Sequence, residues 1–191
     1  MFGISVPSQS EAGLAAYFDL LFRWNAKINL TALTEPDAAI DRLLLEPLAA
    51  AAELSPGEDF IDLGSGGGSP AIPLTLVLRP PRLVMVESKV RKAAFLREAT
   101  RLLELNTVVE NARFEDVAAR GTYAGRMSLV TIRAVRVDRQ ALVTAKSFLK
   151  PTGLIALFSP TAASPPDLPP DLRVKRIASL PGASHLVLLG K

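Results

Sequence analysis

The chain has 191 residues, 49% apolar and 21% charged, with a net charge of +3, one histidine and no cysteine. That length suits one sizeable core with a small appendage, and the lack of cysteine excludes disulfides, thiolate zinc sites and cysteine nucleophiles together. No apolar run is long enough to span a bilayer, and "MFGISVPSQSEAG" lacks the basic-then-apolar pattern of a signal peptide, so a soluble cytoplasmic protein with no metal site is expected.

In chain order, Leu14, Tyr17, Phe18, Leu21 and Ile28 form one apolar stripe and predict a helix over about 11–31. Pro36 opens a second predicted helix to Glu53, with Leu43, Leu44 and Leu48 on its buried side. "SPGED" at 55–59 reads as a turn and a boundary, which makes 1–55 a helical cap and 56–191 the main domain. The apolar run Phe60–Leu63 is a strand, followed by a glycine loop and a helix from Pro70 to Leu78. "RLVMVE" at 82–87 is the next strand, and Ser88 is placed to cap a helix over 89–103. Strands follow at 107–111, 128–132 and 154–158, with a helix over 138–149 between the last two. Alternating strands and helices imply βαβ units and a mainly parallel sheet. The proline-rich 159–170 is a loop, and "RVKRIASL" and "HLVLLGK", joined only by "PGAS", suit an antiparallel hairpin.

Charge is uneven. Residues 1–60 carry 9 acids and 3 bases, whereas 61–191 carry 10 acids and 19 bases. Seven of those bases fall between Arg79 and Arg101, which reads either as a solvated helix face or as a surface for a polyanion such as nucleic acid.

The stretch "FIDLGSGGGSP" puts four glycines in five positions directly after the first strand. Ligands of open parallel sheets sit beyond the carboxyl ends of the strands, and Gly64 and Gly66 permit positive φ and close ligand approach there. Ser69 is placed to cap the next helix, and Pro70 suits its first position. Ser69 also replaces the last glycine of the dinucleotide fingerprint, so the match to it is partial. Glu87 ends the second strand, where an acid can accept two ribose hydroxyls, and Asp62 can face a cationic sulfonium or amine. The cofactor is therefore a nicotinamide dinucleotide or S-adenosylmethionine. The terminal hairpin favours the second and a Rossmann-like, class I methyltransferase α/β fold.

Five segments occur in one order: "WNAKINLTAL" (Trp24–Leu33), "DLGSGGGSPAIPL" (Asp62–Leu74), "VESKVRKAAFLRE" (Val86–Glu98), "NARFEDV" (Asn111–Val117) and "IRAV" (Ile132–Val135). Over about Leu14–Leu157 the chain resembles the RsmG (GidB) family, methyltransferases of a guanine N7 in small-subunit ribosomal RNA. The resemblance implies S-adenosylmethionine contacts at Gly64, Gly66, Ser69 and, through the ribose, Glu87. It also implies adenine contacts at Phe114 and Glu115 and a role in cofactor binding and catalysis for Arg133. The partner implied is ribosomal RNA or the small subunit. A monomer without membrane association is expected. Where the family pattern reads R-H-x-x-D-S-L this chain has "RLLLEPL", with Leu43, Glu46 and Pro47, and where the family has Lys-Gly after the fifth strand it has "SPT". Those departures bear on the RNA target more than on fold or cofactor, and leave a diverged relative with another substrate or no activity as the alternative. A nicotinamide-dependent oxidoreductase is the other, though no acid for hydride transfer stands out.

Methyl transfer is a displacement at a sulfonium, and guanine N7 has a free lone pair, so positioning and electrostatics suffice without a general base. With no cysteine, C5 methylation of pyrimidines loses its usual nucleophile, and "TIRAVRVD" is not the tetrad typical of exocyclic amine methylation. His185 reads as structural. Arg79, Arg82, Lys89, Arg91, Lys92, Arg97, Arg101, Arg133, Arg136 and Arg139 are candidate phosphate contacts. Trp24, Asn25 and Asn29 read as a structural staple or as substrate wall.

Overall fold

The computed structural model describes residues 6–55 and 59–191. Most of the turn expected at 55–59 therefore lies outside the described residues. Seven strands form one sheet: β1 Phe60–Leu63, β2 Leu83–Val86, β3 Thr107–Glu110, β4 Met127–Arg133, β5 Leu149–Ser159, β6 Arg173–Leu180 and β7 Ser184–Gly190. Their order is β3-β2-β1-β4-β5-β7-β6, with β7 antiparallel to both neighbours and the other pairings parallel. The expected parallel sheet with an antiparallel end is therefore present, and the hairpin folds back so that β7 lies inside the sheet.

The helices are α1 Ser8–Ile28, α2 Pro36–Ile40, α3 Glu46–Ala51, α4 Ala71–Leu78, α5 Val90–Leu102, α6 Phe114–Ala119 and α7 Arg139–Phe148. Two departures from expectation have physical causes. The helix expected over 36–53 is broken by a π-helical turn at Asp41–Leu45, where the Glu46 N–H reaches back to the Asp41 carbonyl. Proline has no N–H to give the preceding turn and its ring crowds a carbonyl there, and Pro47 follows this wider turn directly. The short α6 falls inside "RFEDVAA", too brief for a period to register.

Alternation along the strands divides the core. Phe60, Met85, Leu129 and Phe158 face α1–α5, while Ile61, Val84, Val130 and Leu157 face Val117 of α6 and Leu142, Ala145 and Phe148 of α7. Residues 6–55 do not pack on their own: Tyr17, Leu21, Leu30 and Leu43 share one cluster with Phe60, Ile72 and Leu96. Among the described residues no helix is long and apolar enough to cross a membrane.

Candidate functional site

The period of two along a strand decides which groups meet. Asp62, Thr131, Arg133 and Glu87 continue the face that carries Phe60, Leu129 and Met85, so all four come to the carboxyl ends of the central strands on the side covered by α1. Between β1 and α4 the glycine loop turns over the tip of β2, with the N–H groups of Gly64 and Ser65 both donating to the Val86 carbonyl (2.9 and 3.0 Å). Gly64 has φ +77°, and a Cβ there would collide with Val135 Cγ2. Gly66 has φ +53°, but a Cβ there would meet only the Gly64 carbonyl oxygen, 3.8 Å away. The first glycine is thus required by packing, and the second leaves its backbone bare toward open space.

That space is a cavity of about 440 Å³ lined by Gly64, Gly66, Ser69, Glu87, Lys92 and Arg133, among others. A second cavity of about 290 Å³ continues past Glu87 to Phe114 and Glu115. Both are bordered by Gly64, Glu87, Ser88, Lys89 and Val135, so they form one cleft. Seven of the eight candidate residues therefore line a single continuous site. Phe114 has one side in the α6–α7 core and the other on the cleft.

Glu87 is 7% exposed. Its Oε2 accepts the Gly66 N–H (2.9 Å) and its Oε1 the Lys89 N–H (2.7 Å), so one carboxylate holds both the glycine loop and the entry to α5. Ser88 does not cap that helix, because Lys89 occupies the cap position without a side-chain bond. Ser69 likewise does not cap α4: Pro70 takes the cap position, and the Ser69 hydroxyl donates to the Leu43 carbonyl (2.7 Å) instead.

Asp62 is the eighth candidate, and it lies beneath the cleft, 1% exposed. Its Oδ1 accepts the Thr131 hydroxyl (2.5 Å) while Oδ2 has no partner. Burial raises its carboxyl above the ordinary range, against the pull of the Thr131 and Ser65 hydroxyls and the Arg133 charge. Above it the Tyr17 hydroxyl donates to the Gly67 carbonyl (2.7 Å), tying α1 to the loop.

Arg133 reaches the cleft from the end of β4, its side chain 9% exposed. It donates from Nη1 to the Arg42 carbonyl (2.7 Å), lies 3.6 Å from Glu46 Oε2, and its guanidinium stands 5.9 Å over the Phe158 ring. Burial lowers its pKa, and Glu46 opposes that shift. Ala134, next in the chain, is left-handed at φ 54° and turns Val135 into the cleft.

Arg42 and Glu46, and the Leu43 carbonyl, are contributors to the site that the sequence does not single out, because their segment departs from the family pattern. The visible signal was Pro47, a helix-breaking residue in an otherwise helical stretch. Asn25 and Asn29 act locally: Asn25 Oδ1 accepts the Thr31 N–H (2.9 Å), and Asn29 ends α1 in a left-handed cap (φ 48°). Trp24 packs edge-on against Phe95, with ring centroids 5.8 Å apart, beside a separate cavity at the face of α1 and α5. The bases do not share one face. Lys89 and Lys92 line the cleft, while Arg79 ends α4 and Arg101 ends α5 at the opposite end of the sheet, where Arg82 pairs with Asp59 (2.9 Å).

Comparison with known proteins agrees with this architecture. The chain is similar to an S-adenosylmethionine-dependent methyltransferase from Aquifex aeolicus (TM-score 0.65, 15% identity, 84% of this chain and 95% of that one), a likeness of fold. It is 35% identical over 188 residues to ribosomal RNA small subunit methyltransferase G of Xylella fastidiosa, covering 93% of this chain and 85% of that protein. It is 33% identical over 127 residues to the protein of the same name from Pseudomonas paraeruginosa, a match that covers 66% of this chain and spans 59% of that relative's length. The model of the GidB family, rRNA small subunit methyltransferase G, matches residues 10–161, and the chain belongs to that family.

Proposed function

We propose that this protein is an S-adenosylmethionine-dependent methyltransferase that modifies a guanine N7 of small-subunit ribosomal RNA. The observation that carries the reading is the cradle at the tip of β1, where the bare Gly66 backbone faces open space beside the buried Glu87 carboxylate. The residues present fit an adenosyl group. Each Glu87 oxygen keeps a second lone pair for a ribose hydroxyl, Gly64 and Gly66 admit the ligand against main chain, and Phe114 offers a flat apolar face in the adjoining cavity. When bound, S-adenosylmethionine supplies an activated methyl group on a sulfonium.

The chain's own part is to hold and to exclude. Asp62 does not border the cleft; it accepts the Thr131 hydroxyl beneath it, so its part is to support the site from below rather than to meet a cationic centre by contact. Arg133 presents a fixed cation on the wall of the larger cavity. No side chain is required to remove a proton from N7, and among the cleft-lining residues named above none is a histidine or cysteine. Lys89 and Lys92 at the rim suit phosphates, which position RNA without reading its sequence. A stacked guanine must be splayed out of its helix to reach this depth. Glu46 stands where the family pattern has aspartate, so that departure keeps an acid.

The test is direct. Calorimetry should give binding of S-adenosylmethionine, and labelled methyl should enter small subunits or their RNA, at a guanine N7 on mapping. Cofactor binding without transfer to either substrate removes the catalytic reading, and transfer to another atom removes N7.

A further inference from the structure

We propose that Glu46, outside the cleft lining, is a positioning residue that fixes the Arg133 guanidinium in the site, together with the Arg42 carbonyl on the π-helical turn. The proposal rests on the functional reading above for its consequence, but not for its geometry.

Glu46 is 1% exposed, and a carboxylate so buried is costly unless paired. Its Oε1 accepts Arg42 Nη1 at 2.7 Å. Its Oε2 has no hydrogen-bond partner and faces Arg133 Nη1 at 3.6 Å, an ion-pair distance too long for a hydrogen bond. Arg133 spends that same nitrogen on the Arg42 carbonyl. The guanidinium is therefore held at one corner by a carbonyl and a negative charge and on one side by the Phe158 ring, and among the described residues its Nε and Nη2 make no hydrogen bond.

The sequence around the turn makes this possible. In α-helical register the N–H of residue 47 would go to the Leu43 carbonyl, and in π register to that of Arg42. Pro47 supplies neither. Those same two carbonyls receive the Ser69 hydroxyl and the Arg133 guanidinium. The turn thus offers two backbone acceptors and one carboxylate to the wall of the cleft.

The experiment compares wild type, Glu46→Gln, Glu46→Asp, Arg133→Met and the Glu46→Gln/Arg133→Met double variant, with Glu53→Gln, whose partner Arg176 is remote from the cleft, as control. Proton–nitrogen NMR of the Arg133 side chain reads anchoring without reference to activity. Wild type should give separate, slowly exchanging Nη1 and Nη2 signals, which collapse in Glu46→Gln and return in Glu46→Asp. Methyl transfer at saturating cofactor should fall tenfold or more in Glu46→Gln, recover in Glu46→Asp, and fall no further when Glu46→Gln is added to Arg133→Met. If Glu46→Gln alone does not fold, because it strands a buried cation, adding Arg133→Met should restore folding. Anchored Arg133 signals in Glu46→Gln, equal losses with and without Arg133, or failure of Arg133→Met to restore folding overturns the proposal. A wild-type protein that transfers no methyl sinks the functional reading, while the NMR arm still decides whether Glu46 anchors Arg133.

Discussion

Glu87 ends β2 with each oxygen already accepting one main-chain N–H, so truncating it removes a ligand acceptor and a clamp on the loop together. Glu87→Ala should weaken S-adenosylmethionine binding by roughly 1–3 kcal/mol, the size of lost charge-assisted bonds, which calorimetry reads directly. Gly64→Ala is harsher, because φ +77° disfavours any side chain and the new methyl meets Val135. Cofactor binding should be lost, and adding Val135→Ala should recover only the part due to the collision. Asp62 yields a pH signature. Its folded pKa lies above the ordinary 3.8, so the native state binds the proton more tightly than the unfolded chain does. The contribution is fully present below 3.8 and is lost as pH rises through the folded value. Urea unfolding of Asp62→Asn from about pH 4 upward should show that decline flattened.

At the level of elements, strand positions were readable because four-residue apolar runs bounded by turn residues have few other fates. Glu87 is readable for the same reason, since it ends such a run with a charge, whereas the role of Arg133 at the end of the longer β4 comes through the family resemblance. The π-helical turn was not, since Leu43, Leu44 and Leu48 fit one unbroken helix and only Pro47 argued against it. Ser69 has the residue type and position of a helix cap, but its hydroxyl goes instead to the carbonyl of residue 43, on a segment far away in sequence. Pro47→Ala restores a donor that competes for the Arg42 and Leu43 carbonyls. It should raise the helical content by circular dichroism and lower methyl transfer several-fold, with the melting temperature held or increased.

Across the whole molecule, the basic excess after residue 60 is a property of sequence and not of one surface. A helix that starts at the cleft and runs back along the sheet carries its charges to both ends, which is why Lys89 and Arg101 part company although α5 joins them. Charge reversal therefore separates them. Lys89→Glu with Lys92→Glu should weaken binding to small-subunit RNA at least tenfold and lower the salt slope by roughly one for each phosphate no longer neutralised. Arg79→Glu with Arg101→Glu should leave both nearly unchanged in a salt titration of binding. The glycine loop carries a different consequence. It is stitched to Tyr17 by a hydroxyl, to the π-helical turn through Ser69 and to β2 through Glu87. Its ordering entropy is thus spent during folding, and a ligand arriving at this lip finds little left to freeze, so its affinity reflects the bonds it forms rather than a receptor rebuilt.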